Sequence, residues 1–186
     1  MRLFVAVNLP QHVRQDAWTA ASALRAKCHL VKWVAPEALH ITMKFLGEVA
    51  PQRVEAIAEA MKTAAEGAKP FPLCISGFGA FPNVRRPRVV WVGCEAAPPL
   101  ELLQHRVEQE MDRIGFPLEG RPFHPHITLG RVRREATSSD FVDFSRDIEV
   151  LSFEAEVTAE SVDLMESTLT PAGARYSLRH AARFEG

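Results

Sequence analysis

The chain has few of the features that would assign it to several common classes of protein. Its three cysteines, Cys28, Cys74 and Cys94, lie far apart and form no Cys-x-x-Cys pair, so neither a disulfide framework nor a thiolate zinc site is expected. No run approaches the roughly 18 to 20 apolar residues of a membrane span. The segment from Met1 to Asn8 is too short for a signal peptide and lacks a small-residue cleavage site. We therefore expect a cytoplasmic protein with no membrane segment.

An excess of basic residues is also absent. The chain has 22 Lys and Arg against 23 Asp and Glu, a net charge of −1, whereas proteins that follow long nucleic acids usually carry a marked positive charge. Basic residues do cluster locally, at 85–88 and 131–134. This balance favours a small anionic substrate, or the end of a strand, over a long duplex.

The length of 186 residues and the apolar content of 47% are enough for a real hydrophobic core. Apolar spacing and turn residues predict strands and helices in alternation. The predicted strands are 2–8, 31–34, 39–46, 71–81, 88–92, 123–132, 152–157, 161–169 and 174–184, and the helices are 11–27, 54–65 and 99–114. A strand–helix–strand pattern thus occurs twice with no linker between the copies. We predict one α+β domain over 1–186, with two sheet-bearing lobes that face a shared cleft.

Two tetrapeptides of one pattern, histidine–apolar–threonine–apolar, carry most of the functional information. They are His40-Ile41-Thr42-Met43 and His126-Ile127-Thr128-Leu129. Successive side chains of a strand point to opposite faces, so each His shares a face with its Thr while the apolar residues face the core. Two similar strands would therefore present two imidazoles and two hydroxyls to one site.

This set suits acid–base chemistry at a phosphodiester. Histidine has an ordinary pKa of about 6.5, so one ring can accept a proton from a nucleophile while the other donates one to a leaving oxygen. The hydroxyls of Thr42 and Thr128 can donate hydrogen bonds to non-bridging phosphate oxygens as charge develops there. Such a reaction requires no metal, and we expect none.

Three residues beside the motifs are candidates for substrate contacts. Strict alternation places Lys44 on the face of His40, and places Arg131 on the face opposite His126 unless Gly130 relaxes the register. Phe45 is one of several aromatic residues able to stack on a base. The alternatives are a solvated cation at a strand end for Lys44 and Arg131, and core packing for Phe45.

Two other functions compete with a phosphodiesterase. His124 and His126 could hold a zinc ion for a hydrolase, but no carboxylate ligand lies nearby and Pro125 disturbs the strand. A non-catalytic module that binds RNA ends or nucleotides could use the same cleft, although a binding module does not need two proton carriers.

With both motifs placed, the chain resembles the 2H phosphoesterase superfamily, which is named for two His-x-Thr-x motifs. Within it, the chain is most similar to the RNA 2′,3′-cyclic phosphodiesterases, also called the 2′-5′ RNA ligase family. The likeness extends over nearly the whole chain. Its segments are 2–7, 39–47, 77–82, 87–91, 123–131 and 173–178.

The resemblance implies an α+β bilobal fold: two antiparallel-sheet lobes with outer helices and a pseudo-two-fold central cleft. It implies hydrolysis of a terminal RNA 2′,3′-cyclic phosphate to a 2′-phosphomonoester without a cofactor, and reversible 2′-5′ ligation as a related activity. The substrate would be RNA with a cyclic end or a small cyclic nucleotide, and the protein a monomer. By this analogy His40 is the proton donor and His126 the proton acceptor. The residues alone leave that division open, because the site is nearly symmetric.

Overall fold

The computed structural model describes residues 1–171 and 173–185. Its strands are β1 (Arg2–Asn8), β2 (Val31–Trp33), β3 (His40–Glu48), β4 (Phe71–Phe81), β5 (Val89–Cys94), β6 (His126–Val132), β7 (Glu154–Ala159), β8 (Ser161–Thr170) and β9 (Gly173–Arg183). Its α-helices are α1 (Gln11–Ala20), α2 (Ser22–Lys27), α3 (Val54–Ala65), α4 (Pro98–Arg113) and α5 (Phe144–Glu149). A turn was predicted at 171–173, but residue 172 lies outside the described residues.

The strands of the described ranges form one antiparallel sheet made of two similar halves. Read outward from its motif strand, one half runs β6-β5-β4-β7 and the other runs β3-β1-β8-β9, while β2 pairs with β6. The halves meet where Ile41 of β3 stands opposite Ile127 of β6. A pseudo-two-fold axis through this pair relates the two His-x-Thr-x motifs.

The sheet has one face covered by helices and one face open. In β1, Leu3, Val5 and Val7 are at most 1% exposed in the main hydrophobic core, whereas Phe4 and Ala6 pack in a separate cluster on the opposite face. This alternation is typical of an antiparallel sheet with one face against a core. The open face is the one that carries the motif histidines.

Helix α4 shows why the covered face is stable. Proline at the start suits the first turn of a helix, where its missing N–H is not needed. Apolar residues then recur at helical spacing and are buried against the sheet and α3; they are Leu100, Leu103, Val107 and Met111. Burial of each such side chain contributes about 1.5–3 kcal/mol.

The α+β class and the antiparallel lobes predicted from the sequence are confirmed. Three elements differ from prediction. Helix α5 has no counterpart among the predicted elements. The helix predicted over 11–27 is interrupted at Ala21, where one helix ends and a second begins. The strand predicted from residue 123 begins only at His126, because Pro125 has no backbone N–H to contribute to the sheet.

None of the helices in the described parts of the chain is both long and apolar enough to cross a membrane.

Candidate active site

Each motif strand contains an irregularity of register directly after its threonine. In β3, Thr42 pairs with Ala6 and Lys44 with Val5, so that Met43 is an extra residue. In β6, Thr128 pairs with Trp91 and Gly130 with Val90, so that Leu129 is extra. An inserted residue of this kind is a β-bulge, and it reverses the face to which the following side chains point.

The bulge makes the prediction that Lys44 shares a face with His40 wrong. Lys44 points to the covered face and is only 6% exposed. Its ammonium lies 2.5 Å from Oε2 of Glu108 on α4 and donates a second hydrogen bond to the carbonyl of Pro117 at 2.7 Å. Lys44 therefore contributes to the wall of the cleft beside His126, but its ammonium is paired with Glu108.

The same irregularity brings Arg131 and Phe45 to the open face. Both follow a motif threonine by three residues, and both line the cleft. The register does change beside Gly130, the possibility that would bring Arg131 to the face of His126. A Cβ added at Gly130 would lie 2.5 Å from Val31 Cγ1, so glycine allows β2 to approach closely there. Phe45 is 63% exposed, so core packing does not account for it.

Each of the two motif histidines is oriented by a hydrogen bond to the backbone carbonyl two residues before it. Nδ1 of His40 lies 2.8 Å from the carbonyl oxygen of Ala38, and Nδ1 of His126 lies 2.6 Å from that of His124. Because a carbonyl only accepts, each Nδ1 must carry the hydrogen, and each Nε2 is left to exchange a proton. Nε2 of His40 also lies 3.0 Å from Oγ1 of Thr42.

Aromatic rings pack against both imidazoles. Phe4 lies 4.7 Å and Tyr176 5.2 Å from the His40 ring, measured between centroids. Phe81 meets the His126 ring edge-on at 5.0 Å. Tyr176 was not among the residues predicted to line the site. Its signals were its place in the family-like segment 173–178 and its being the single tyrosine of the chain.

The pKa of both histidines is lowered. Burial, chiefly, lowers the pKa of His40 to about 4. Positive charge on His126 and Arg131 acts in the same direction, whereas the hydrogen bond that His40 donates to the Ala38 carbonyl opposes it. Burial likewise lowers the pKa of His126, with the charges of Arg131 and His124 adding to it. Both rings are therefore mainly neutral at pH 7 in the free protein.

This lowered pKa predicts a pH dependence of stability. The unfolded chain binds a proton at His40 near pH 6.5, whereas the folded chain does so only near pH 4. The free energy of unfolding should therefore be highest above pH 6.5 and fall as pH drops to 4, by up to about 1.4 kcal/mol per pH unit. Urea unfolding of the wild type and of His40→Asn across this range measures it. The variant should lose less stability, and equal slopes would contradict the prediction.

The cleft consists of two recesses that share Thr42 and Phe45. The His40 recess, of about 590 Å³, is also lined by Thr128, Arg131 and Tyr176. The His126 recess, of about 720 Å³, is also lined by the residues Phe81, Arg88, Arg121 and Phe123. Both volumes are in the usual range for sites that hold small organic ligands. A phosphate between the two histidines would have room for a substituent on either side.

A zinc site at His124 and His126 would need further ligands close to these two side chains. In the described parts of the chain, no three His, Cys, Asp or Glu side chains are grouped so as to hold a metal ion. The backbone carbonyl of His124 accepts the hydrogen bond from Nδ1 of His126. The side chain of His124 lines the His126 recess.

Comparison with known sequences gives related proteins over the full length of the chain. The profile of the 2′-5′ RNA ligase superfamily matches residues 13–170. The RNA 2′,3′-cyclic phosphodiesterase of Thermotoga maritima is 33% identical, and the match covers 100% of this chain and 97% of that protein. The RNA 2′,3′-cyclic phosphodiesterase of Archaeoglobus fulgidus is 36% identical over 95% of this chain and 96% of its own length.

Solved structures are similar over the same extent. A Thermus thermophilus protein matches with a TM-score of 0.82 at 29% identity, covering 100% of both chains. Escherichia coli LigT, solved in complex with 3′-AMP, matches with a TM-score of 0.76 at 27% identity, covering 100% of this chain and 98% of LigT.

Proposed function

The chain belongs to the 2′-5′ RNA ligase superfamily, and from this premise we propose that it hydrolyses the 2′,3′-cyclic phosphate at the end of an RNA strand to a 2′-phosphomonoester. This membership confirms the resemblance found in the sequence. Relatives named RNA 2′,3′-cyclic phosphodiesterase support the activity. The observation that carries the proposal is the matched pair of imidazoles, each with Nδ1 held by a backbone carbonyl and Nε2 left for proton transfer.

In the proposed reaction, water attacks phosphorus while Nε2 of one histidine takes its proton. The bond between phosphorus and the 3′ oxygen breaks, and that oxygen receives a proton from Nε2 of the other histidine. We assign His126 as the acceptor and His40 as the donor by analogy with the family. The products are a free 3′ hydroxyl and a 2′ phosphate, so the atoms and protons balance.

The donor histidine must carry a proton, although both rings are mainly neutral in the free protein. A phosphodiester anion removes this difficulty, because a nearby opposite charge favours the protonated imidazole and raises its pKa. Thr42, Thr128 and Arg131 line one recess, and in the proposed complex their hydroxyls and guanidinium bind the non-bridging oxygens. Phe45 is placed to stack on a base.

We propose that residues 1–186 act as one bilobal domain and as a monomer. Each lobe supplies one histidine and one threonine, so a single chain holds the complete catalytic set.

The test is incubation with an oligonucleotide that ends in a 2′,3′-cyclic phosphate, with and without a chelator. We expect turnover that the chelator does not change, and phosphorus NMR should place the product phosphate on the 2′ oxygen. A 3′ product would contradict the proposed bond cleavage. Binding without turnover would favour a non-catalytic RNA-end module, and loss of activity with the chelator would favour a zinc hydrolase.

The His126 recess favours ligation as a second activity. Its aromatic rings and two arginines suit a second nucleoside, whose ribose hydroxyl would then replace water as the nucleophile. Addition of a 5′-hydroxyl oligonucleotide to the same reaction should give some 2′-5′-linked product.

A further inference from the structure

Four exposed cations lie together where β2 runs beside β6. Lys32 stands directly opposite Arg131 in this antiparallel pair. Beyond the end of β6, the N–H of Arg133 donates to the carbonyl of Leu30 at 2.8 Å, so the two chain segments stay adjacent. Arg134 follows, and all four basic side chains are exposed. We call Lys32, Arg131, Arg133 and Arg134 the basic track.

Nothing in the described ranges neutralises the basic track. Its four cations form none of the ion pairs found there, and Glu135, the next acidic residue in the chain, is itself exposed and outside these pairs. Like charges directly opposite each other in a sheet destabilise it. The protein as a whole has a net charge of −1, so this concentration of positive charge is local.

The basic track is continuous with the cleft. Arg131 belongs to both, because its side chain also lines the His40 recess beside Thr128. Lys32 is the cross-strand neighbour of Arg131, and the hydrogen bond from the Arg133 N–H to the Leu30 carbonyl holds Arg133 beside the start of β2. An extended polyanion with one end at the histidines can therefore run from Arg131 over Lys32 and Arg133.

We propose that the basic track binds the phosphate backbone of the single-stranded RNA whose cyclic end lies in the cleft. This rests on the proposed function and narrows it, because it makes an oligonucleotide end, rather than a free cyclic mononucleotide, the preferred substrate. Neutralisation of phosphates by exposed Lys and Arg is sequence-independent and sensitive to salt. The like-charge pair would be relieved when the RNA binds.

The test compares the wild type with Lys32→Gln/Arg133→Gln on two substrates, a 2′,3′-cyclic mononucleotide and an oligonucleotide with the same cyclic end. For the oligonucleotide at low salt we expect kcat/KM to fall on the order of ten-fold, with the slope of its logarithm against log salt shallower by about 1.4, or about 0.7 for each lost contact. The mononucleotide kcat/KM should change less than about two-fold. The control, Lys62→Gln/Lys69→Gln, removes the same charge from exposed positions outside both recesses and should behave as the wild type.

The outcomes separate this inference from the proposed function. If the wild type hydrolyses neither substrate, the proposed function fails, and fluorescence anisotropy with a labelled 3′-phosphate-ended oligonucleotide still decides whether the Lys32→Gln/Arg133→Gln protein binds RNA more weakly. If hydrolysis occurs and the variant keeps wild-type oligonucleotide kinetics and salt slope, the RNA follows another path. An equal loss of kcat/KM on both substrates, or an equal loss in the control variant, would also contradict the proposal that the basic track binds RNA.

Discussion

Replacement of His40 or His126 by alanine is expected to lower kcat on a cyclic-phosphate-ended oligonucleotide by about 10²- to 10⁴-fold. Each substitution removes one proton carrier, while Thr42, Thr128 and Arg131 remain to bind the phosphate. KM should therefore change far less than kcat. Steady-state kinetics on the two variants and on the wild type measure both constants.

His124→Ala is the matched control for this experiment. It removes an imidazole from the same recess but leaves the backbone carbonyl that holds Nδ1 of His126. We expect its kcat to stay within a few-fold of the wild type. Near-complete loss in His124→Ala would favour the zinc alternative, and full activity in His40→Ala or His126→Ala would contradict the paired-histidine mechanism.

The residual activity of the two variants can also assign the roles. In a bell-shaped pH profile the acidic limb reports the group that must be unprotonated, and the alkaline limb the group that must be protonated. If His126 is the acceptor, His126→Ala should lose the acidic limb and His40→Ala the alkaline limb. The reverse result would exchange the two roles while keeping the mechanism.

Lys44→Met is expected to give the largest loss of stability among these variants, about 3–5 kcal/mol. It leaves the carboxylate of Glu108, itself 7% exposed, without the cation that lies 2.5 Å away. Globular proteins are typically stable by only about 5–15 kcal/mol, so much of the protein would unfold under mild conditions. Chemical denaturation followed by circular dichroism measures the change.

A double variant shows whether the loss comes from the unpaired charge. Lys44→Met/Glu108→Leu should recover much of the stability, since apolar residues often replace a buried ion pair at little cost. Lys62→Met is the exposed control, because it breaks only the surface pair with Glu59 and should cost about 0.5 kcal/mol or less. A double variant no more stable than Lys44→Met would contradict this explanation.

The buried pair also organises one wall of the cleft. Lys44 donates to the carbonyl of Pro117, and Glu108 accepts the N–H of Glu119 at 3.0 Å. Pro117 and Glu119 both line the His126 recess. Folded Lys44→Met protein should therefore bind substrate more weakly.

Simple alternation was enough to predict which side chains of the two motifs share a face. It places His40 with Thr42 and His126 with Thr128, since no irregularity falls between the members of either pair. The same rule fails for Lys44, one residue past the bulge at Met43. In β6 the glycine at 130 signals an irregularity, but β3 has lysine at the equivalent position, so nothing local shows that the register changes there.

The position of Tyr176 beside His40 could not be predicted from the local sequence pattern, and the reason differs from that for Lys44. It reaches His40 only because β9 pairs with β8 and β8 with β1, and the order of strands in a sheet is set by packing across the whole chain. The arginine at 131 was nearer to prediction, because its neighbour Gly130 allows the close approach of β2.

We also expect the matched bulges to decide the orientation in which a substrate binds. If the site had exact two-fold symmetry, a phosphodiester could bind in either orientation, because either histidine could lie beside the leaving oxygen. The position three residues after each motif threonine is turned toward the cleft by its bulge, and it is phenylalanine in one lobe and arginine in the other. One lobe thus contributes a flat apolar ring to the cleft and the other a guanidinium. If the two histidines are the proton carriers, we expect this difference between the lobes to set the orientation in which a strand end enters.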